Sequence, residues 1–110
     1  MSDVSDVQQI VARSADAVGL HATAPAQLLE LQTQLGALAA AATAATERGR
    51  RPFRPTPDWS ARLAELAYGI YLLGDQTGVD IAREVMMTAH ALQRRAEVAG
   101  PQAGWPFDAS

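Results

Sequence analysis

The chain contains no cysteine and no lysine, and aromatic residues make up only 5% of its 110 positions. Without cysteine there can be no disulfides, thiolate metal ligands or cysteine nucleophiles. No apolar run reaches the roughly 18 residues that a membrane span needs, and the first residues are acidic where a secretion signal would be basic. We therefore expect a soluble, cytoplasmic protein that makes no contact with membranes.

Net charge and length limit the class of protein further. The formal net charge of −3 gives no general attraction to nucleic acid, so binding to an extended duplex is not expected. A chain of 110 residues suits one domain with a modest core, which a partner subunit could complete. We assign residues 1–99 to a single helical domain and residues 100–110 to a C-terminal tail that contains Trp105 and Phe107.

The spacing of apolar residues predicts an all-α fold of four or five helices. Alanine-rich segments favour helix, and glycine and proline divide the chain without any strand-like alternation. The first helix is expected to begin at Ser5, in a capping box with Gln8, and to end at Gly19. Its apolar side would consist of Val7, Ile10, Val11 and Val18.

A second helix is predicted to begin between Thr23 and Pro25 and to run to about Arg48. Its apolar residues recur three and four positions apart, which indicates a narrow stripe that packs against another helix. The stripe consists of Leu28, Leu31, Leu35, Leu38 and Ala42.

A third helix is predicted from Pro57, capped by Thr56, to about Thr77. Its expected buried residues are Leu63, Leu66, Ile70 and Leu73. The fourth helix is predicted to begin at Ile81, after a cap at Asp80, and to end near Val98. Its apolar face consists of Val85, Met86, Ala89 and Leu92.

Two segments carry the residues of a known family signature. Residues 61–81 read ARLAELAYGIYLLGDQTGVDI, and residues 34–38 read QLGAL. These segments resemble the signatures EELaDvliYLlrLAdrlGiDL and EvGEL of the MazG-like all-α nucleoside triphosphate pyrophosphatases. The similar segments lie within residues 23–95, and the resemblance implies a MazG-like helical bundle.

Active members of that family hold magnesium through an E-x-x-E on one helix and an E-x-x-D on the next, and cleave a nucleotide between its α and β phosphates. Residues i and i+3 share a helix face, so two facing helices can direct four oxygen ligands at hard cations. Here the first pair becomes Gln34 and Ala37, and the second becomes Arg62 and Glu65. Because the guanidinium of Arg62 would repel a divalent cation, the resemblance implies a former metal site.

Other residues leave an active site open as an alternative. Glu30 lies one helical turn before Gln34, and it could join Glu65 in a displaced magnesium site completed by a nucleotide phosphate. In a second register Glu65 and Tyr68 would take the acidic positions, but the distance to the next helix is then three residues too short. Arg95 keeps the basic character that the family shows on its last helix, for contact with phosphate.

An arginine cluster is the one concentrated charge feature. It consists of Arg48, Arg50, Arg51 and Arg54. Charge runs in loops are usually solvated, whereas arginine also suits bidentate phosphate contacts and Phe53 could stack on a base. Arg50, Arg51 and Arg54 are therefore candidates, beside Arg95, for binding phosphate. The two histidines, His21 and His90, lack the spacing of a zinc pair.

The sequence thus predicts a MazG-like protein that has lost catalysis, needs no cofactor, and binds a nucleotide or a protein partner. One alternative is an active magnesium-dependent pyrophosphohydrolase with a displaced set of carboxylates. Another is a structural or regulatory helical protein unrelated to nucleotides. The leucine and alanine stripes exceed what four short helices can bury, so we expect oligomerisation, as a homodimer or a dimer of dimers, to complete the core.

Overall fold

The computed structural model describes residues 4–20 and 22–100, and this part of the chain is helical without any strand. Its four helices are α1 (Val4–Val18), α2 (Ala24–Ala45), α3 (Trp59–Thr77) and α4 (Ile81–Ala99). The predicted all-α class is confirmed. Within the described ranges, none of the helices is long and apolar enough to cross a membrane. His21 and the tail residues Trp105 and Phe107 lie outside the described residues.

Helix α3 lies at the centre of the arrangement and packs against the other three helices. Helix α1 also packs against α4, so α1, α3 and α4 form a three-helix unit. Helix α2 contacts α3 but neither α1 nor α4 among the described elements. A large part of the α2 surface is therefore not covered by the other described helices.

The core of the three-helix unit lies between α1 and α3. It consists of Val11, Ala15 and Leu72, with the half-buried Tyr68 and Tyr71 packed against them. The Ser14 hydroxyl donates to the Val11 carbonyl over 2.8 Å and lies 2.7 Å from the Tyr68 hydroxyl. The Tyr68 hydroxyl also lies 3.5 Å from the Val11 carbonyl, and these contacts fix its ring against α1.

Helices α2 and α3 approach each other closely at Gly69. A Cβ atom at this position would lie 2.6 Å from Leu31 Cδ2 and 2.8 Å from Gln27 Nε2. Leu31, Leu38 and Gln27 are the buried residues of α2. Glycine at position 69 therefore permits a short distance between the two helices.

The turn between α3 and α4 is connected to α1 by one side chain. Gln8 Nε2 donates to the Val79 carbonyl over 2.7 Å, and Gln8 Oε1 accepts from the Ile81 N–H over 3.0 Å. The predicted capping box is therefore wrong, because Gln8 bonds a distant turn and Ser5 lies inside α1. The predicted cap at Asp80 is confirmed by a 3.1 Å bond from the Arg83 N–H.

Two helix ends differ from the prediction for local reasons. Helix α2 ends at Ala45 instead of Arg48, because Glu47 and Arg48 adopt the positive φ angles of 48° and 61°. Helix α3 begins at Trp59 instead of Pro57. The Thr56 hydroxyl donates to the Asp58 carboxylate over 2.5 Å instead of capping the backbone, and Asp58 takes the N-cap position.

The predicted apolar stripes are only partly buried. On α2, Leu31 and Leu38 are buried, but Leu28 and Leu35 are 58% and 55% exposed. On α3, the buried residues are Gly69, Leu72 and Gly74, whereas Leu66 and Leu73 of the predicted stripe are half-buried. Large apolar side chains that remain exposed include Val7, Ile10, Val18, Leu63, Ile70, Val85 and Met86. The buried faces are rotated from the predicted ones because the close contact at Gly69 sets how α3 faces α2.

Candidate functional site

The two facing helices α2 and α3 enclose a cleft of about 310 Å³. It is lined by Thr33, Gln34, Ala37, Asp58, Ala61, Arg62 and Glu65. All four positions that correspond to the metal ligands of the resemblance, namely Gln34, Ala37, Arg62 and Glu65, therefore lie around one cleft. We call it the outer cleft. Because Ala37 lies near Ala61 while Leu31 contacts Gly69, the two helices run antiparallel.

Arg62 is held at the rim of the outer cleft by Asp58. Arg62 Nε lies 2.6 Å from Asp58 Oδ2, and the two side chains are 43% and 52% exposed. Asp58 lies four residues, or about one turn, before Arg62 along the chain. The pair keeps the guanidinium charge beside the outer cleft.

The ion pair with Arg62 contributes to a lowered pKa of the Asp58 carboxyl group. Hydrogen bonds from the Thr56 hydroxyl and from Arg62 lower the pKa of Asp58 below its ordinary value of 3.8. Asp58 is therefore ionised at neutral pH and can neutralise Arg62. Spacing alone could have identified this partner, since residues i and i+4 are neighbours on a helix surface.

A second cavity of about 490 Å³, the inner cavity, adjoins the outer cleft and shares Gln34 and Glu65 with it. It is lined by Leu20, Ala22, Ala26, Gln27, Glu30, Gln34, Glu65, Tyr68, Gly69 and Leu72. The Oε1 atom of Gln34 is buried and makes no hydrogen bond within the described part of the chain. The inner cavity also brings Glu30 and Glu65 into one lining, as the displaced-site alternative requires.

The residues of these cavities do not fit the four-carboxylate magnesium site of the resemblance. Ala37 has no ligand atom, Arg62 is a cation, and Gln34 offers at most a neutral oxygen. Among the residues that the structure describes, no group of three or more His, Cys, Asp or Glu side chains could hold a metal ion. Glu30 and Glu65 alone are fewer ligands than a hard divalent cation prefers from a protein site.

The candidate phosphate-binding arginines lie elsewhere. Arg50, Arg51 and Arg54 are exposed in the connection between α2 and α3, where Arg51 Nε lies 3.2 Å from Glu47 Oε1. Arg95 lies on α4 and lines a separate shallow pocket with Arg94. None of these arginines lines the outer cleft or the inner cavity, so the structure does not combine them with Gln34, Ala37, Arg62 and Glu65.

Phe53, which could have stacked on a base, packs against Trp59 instead. The rings of Phe53 and Trp59 lie 4.9 Å apart at an angle of 60°. This contact places the Phe53 ring against the first residue of α3, so Phe53 packs within the chain. His90 is exposed on α4.

Comparison with known proteins identifies no relative of this chain. No model of a protein family matches it, and neither a curated protein nor a solved structure does. The cavities between α2 and α3, and the sequence segments that line them, are therefore the features that bear on function.

Proposed function

We propose that this chain is a MazG-like helical module that has lost pyrophosphohydrolase catalysis and acts by binding. The observation that supports the proposal is the composition of the outer cleft. Of the four positions that would hold magnesium, Glu65 alone provides a carboxylate, and Arg62 places a cation there. A catalytic metal needs several oxygen ligands and no adjacent fixed cation.

The charges of the two cavities also bear on the ligand. Asp58, Glu65 and Glu30 carry three negative charges, against the single positive charge of Arg62. In active members of the MazG-like family, bound magnesium would offset the charge of a nucleoside triphosphate. Without that metal, the negative lining disfavours a bare polyphosphate, so of the two kinds of binding partner we favour a protein over a nucleotide.

An exposed apolar face on α2 and α3 is the surface that a protein partner would cover. Its residues are Leu28, Leu35, Leu63 and Ile70, each at least 41% exposed. Each lies two positions from a cavity residue of the same helix, namely Glu30, Ala37, Ala61 and Tyr68. Two positions turn a side chain by about 160° around the helix, so this apolar face lies opposite the cavities.

A second copy of the chain is the partner that we propose for the apolar face. Leucine and isoleucine on two adjacent helices form a surface that can pair with itself, as a two-fold symmetric dimer requires. Pairing would place α2, which now contacts only α3, inside a helical bundle. The core expected from the sequence would then be completed by a homodimer, or by a dimer of dimers.

Metal binding by a restored site tests the loss of catalysis. The variant Gln34→Glu, Ala37→Glu, Arg62→Glu should bind Mn²⁺ in a magnetic-resonance titration, whereas the unsubstituted chain should not. A control with the same change in charge is Gln32→Glu, Ala40→Glu, Arg83→Glu, whose three positions are exposed. Strong Mn²⁺ binding by the unsubstituted chain, or equal binding by both variants, would argue against the proposal that the outer cleft is a magnesium site that has lost its ligands.

Sedimentation analysis tests the proposed dimer. Leu28→Gln or Leu35→Gln should shift the chain toward the monomer, by about tenfold or more in the dissociation constant. Leu29→Gln is the matched control, because Leu29 is 65% exposed on α2 but lies about 100° away from Leu28. Equal effects at Leu28 and Leu29, or a monomeric unsubstituted chain, would contradict the assignment of this face.

One observation supports an active enzyme as the second candidate. Glu30 and Glu65 line the same inner cavity together with Gln34, which offers a neutral carbonyl oxygen. A displaced magnesium site would use these groups and the phosphates of a bound nucleotide. In that case pyrophosphate release would be abolished both by Glu30→Gln and by Glu65→Gln.

A further inference from the structure

The connection between α2 and α3 carries the arginine cluster, whose four side chains are all exposed. Its members are Arg48, Arg50, Arg51 and Arg54. We propose that the arginine cluster binds a short acidic segment of a partner protein. None of its members lines the outer cleft or belongs to the apolar face on α2 and α3, so the proposal depends neither on the loss of catalysis nor on the dimer.

The charge of the arginine cluster is mostly not neutralised by the chain itself. Arg51 has a carboxylate within ion-pair distance, since its Nε lies 3.2 Å from Glu47 Oε1. Asp58, the acidic residue at the start of α3, is paired with Arg62 instead. Within residues 4–20 and 22–100, the other three arginines of the cluster form no ion pair. Their guanidinium groups can therefore bind an anion from outside the chain.

The backbone of the first half of the connection is held in a fixed turn. Glu47, Arg48 and Gly49 have φ angles of 48°, 61° and 89°, a left-handed conformation that is unfavourable for residues other than glycine. The Thr46 hydroxyl accepts from the Gly49 N–H over 3.2 Å, and the Thr46 carbonyl accepts from the Arg51 N–H over 2.9 Å. The arginines of this half thus leave an ordered backbone, so less conformational entropy is lost when they bind.

The second half of the connection is attached to the start of α3. Pro52 and Pro55 disfavour a helix in this segment. The Phe53 ring packs 4.9 Å from the Trp59 ring, and the next residue, Arg54, is exposed. Contacts with α2 at one end and with α3 at the other therefore hold the arginine cluster in place.

Two observations favour a short acidic protein segment over a nucleic acid. Four of the nine basic residues lie in the arginine cluster, and the rest of the chain has twelve acidic residues against the remaining five. A long polyanion that extends beyond the cluster therefore meets net repulsion, whereas a segment of a few residues does not. The packing of Phe53 on Trp59 also leaves less of its ring for stacking with a base.

Fluorescence anisotropy with a labelled hexaglutamate peptide tests the proposal. The comparison probes are labelled hexaglutamine, which has the same length without charge, and labelled hexauridylate, a single-stranded RNA of similar charge. The unsubstituted chain should bind hexaglutamate saturably, and about tenfold more tightly than either comparison probe. Added salt should weaken this binding, because it screens exposed charges.

Substitutions then locate the contact. The double variant Arg50→Gln, Arg54→Gln should weaken hexaglutamate binding by about tenfold, because it removes two of the three guanidinium groups that form no ion pair. The matched control is Arg83→Gln, Arg94→Gln, which removes the same charge at two exposed positions on α4. The control should change the affinity by less than about twofold. Far-UV circular dichroism checks that both variants are folded.

Several results would overturn the proposal. One is hexauridylate binding as tightly as hexaglutamate, which would indicate a nucleic-acid contact. Another is equal weakening by the double variant and its control, which would show an effect of overall charge. A third is the absence of saturable hexaglutamate binding at low salt, or equal binding of hexaglutamine, which would show that the arginines are only solvated. The probes are compared on the unsubstituted chain, so this comparison decides the question even if a variant fails to fold.

Discussion

The close contact between α2 and α3 predicts that alanine will be tolerated very differently at two helical glycines. At Gly69, a Cβ would lie 2.6 Å from Leu31 Cδ2, about 1 Å inside the roughly 3.5–4.0 Å of an optimal carbon contact. Leu31 and Gln27 are only 8% and 9% exposed, so neither can simply turn into solvent. At Gly36, an added Cβ would meet no atom within 4 Å.

The two substitutions share one favourable effect and differ in one unfavourable effect. Both gain about 1 kcal/mol from helix propensity. Gly69→Ala also carries an overpacking cost of about 1–3 kcal/mol. We therefore expect Gly36→Ala to stabilise the chain, and Gly69→Ala to be about 1–3 kcal/mol less stable than Gly36→Ala.

Urea denaturation followed by far-UV circular dichroism measures this difference in the free energy of unfolding. Protein concentration must be the same for both variants, since association would change the apparent stability. Equal free energies of unfolding for the two variants would refute the close packing of α2 on α3. The outer cleft would then lack its structural basis, because its width depends on the same contact.

Two further predictions concern hydrogen bonds. Gln8→Ala should lower the free energy of unfolding by about 1–2 kcal/mol, because it removes both hydrogen bonds to the α3–α4 turn. The control Gln9→Ala, at the exposed neighbouring position, should change the free energy of unfolding by no more than about 0.5 kcal/mol. Thermal unfolding measures both variants, and equal losses of stability would contradict the assigned role of Gln8. The Thr56 hydroxyl and Arg62 lower the pKa of Asp58 in the folded chain below its ordinary value of 3.8. Their stabilising effect is therefore present above pH 3.8, and it is lost as the pH falls through the pKa that Asp58 has in the folded chain. Thr56→Val should raise the pKa of Asp58 toward 3.8 in an NMR pH titration, and an unchanged pKa would contradict this cause.

Local signals were sufficient to predict the helices and several of their ends. Asp80 caps α4, Thr23 accepts from the Ala26 N–H at the start of α2, and Gly78 ends α3 with a φ of 74°. Each of these features depends on residues within a few positions of one another. The sequence therefore contains the information that determines them.

The buried faces could not be predicted in the same way. The leucine periodicity of α2 predicts burial of Leu28 and Leu35, yet α3 approaches through Gly69 and covers Gln27 and Leu31. Such a contact depends on how two helices meet, which no single helix encodes. The capping-box prediction for Gln8 was wrong for the same reason, since its partner Val79 lies 71 positions away.

The four positions of the candidate site were selected through the resemblance to a family signature. In the structure Gln34, Ala37, Arg62 and Glu65 line one cleft, which the sharing of a helix face by residues i and i+3 allows. The ion pair of Arg62 with Asp58 was missed because Glu65 was the carboxylate of interest. What the cleft binds stays a proposal, since residue types alone do not identify a ligand.

Pyrophosphate release is the measurement that tests the central claim most directly. The unsubstituted chain is incubated with each common nucleoside triphosphate and Mg²⁺, and Glu65→Gln is measured in parallel. With Arg62 in the cleft and no fitting set of metal ligands among residues 4–20 and 22–100, we expect no release above that of a reaction without protein. Sustained turnover that disappears in Glu65→Gln would contradict the loss of catalysis and establish the chain as an active pyrophosphohydrolase.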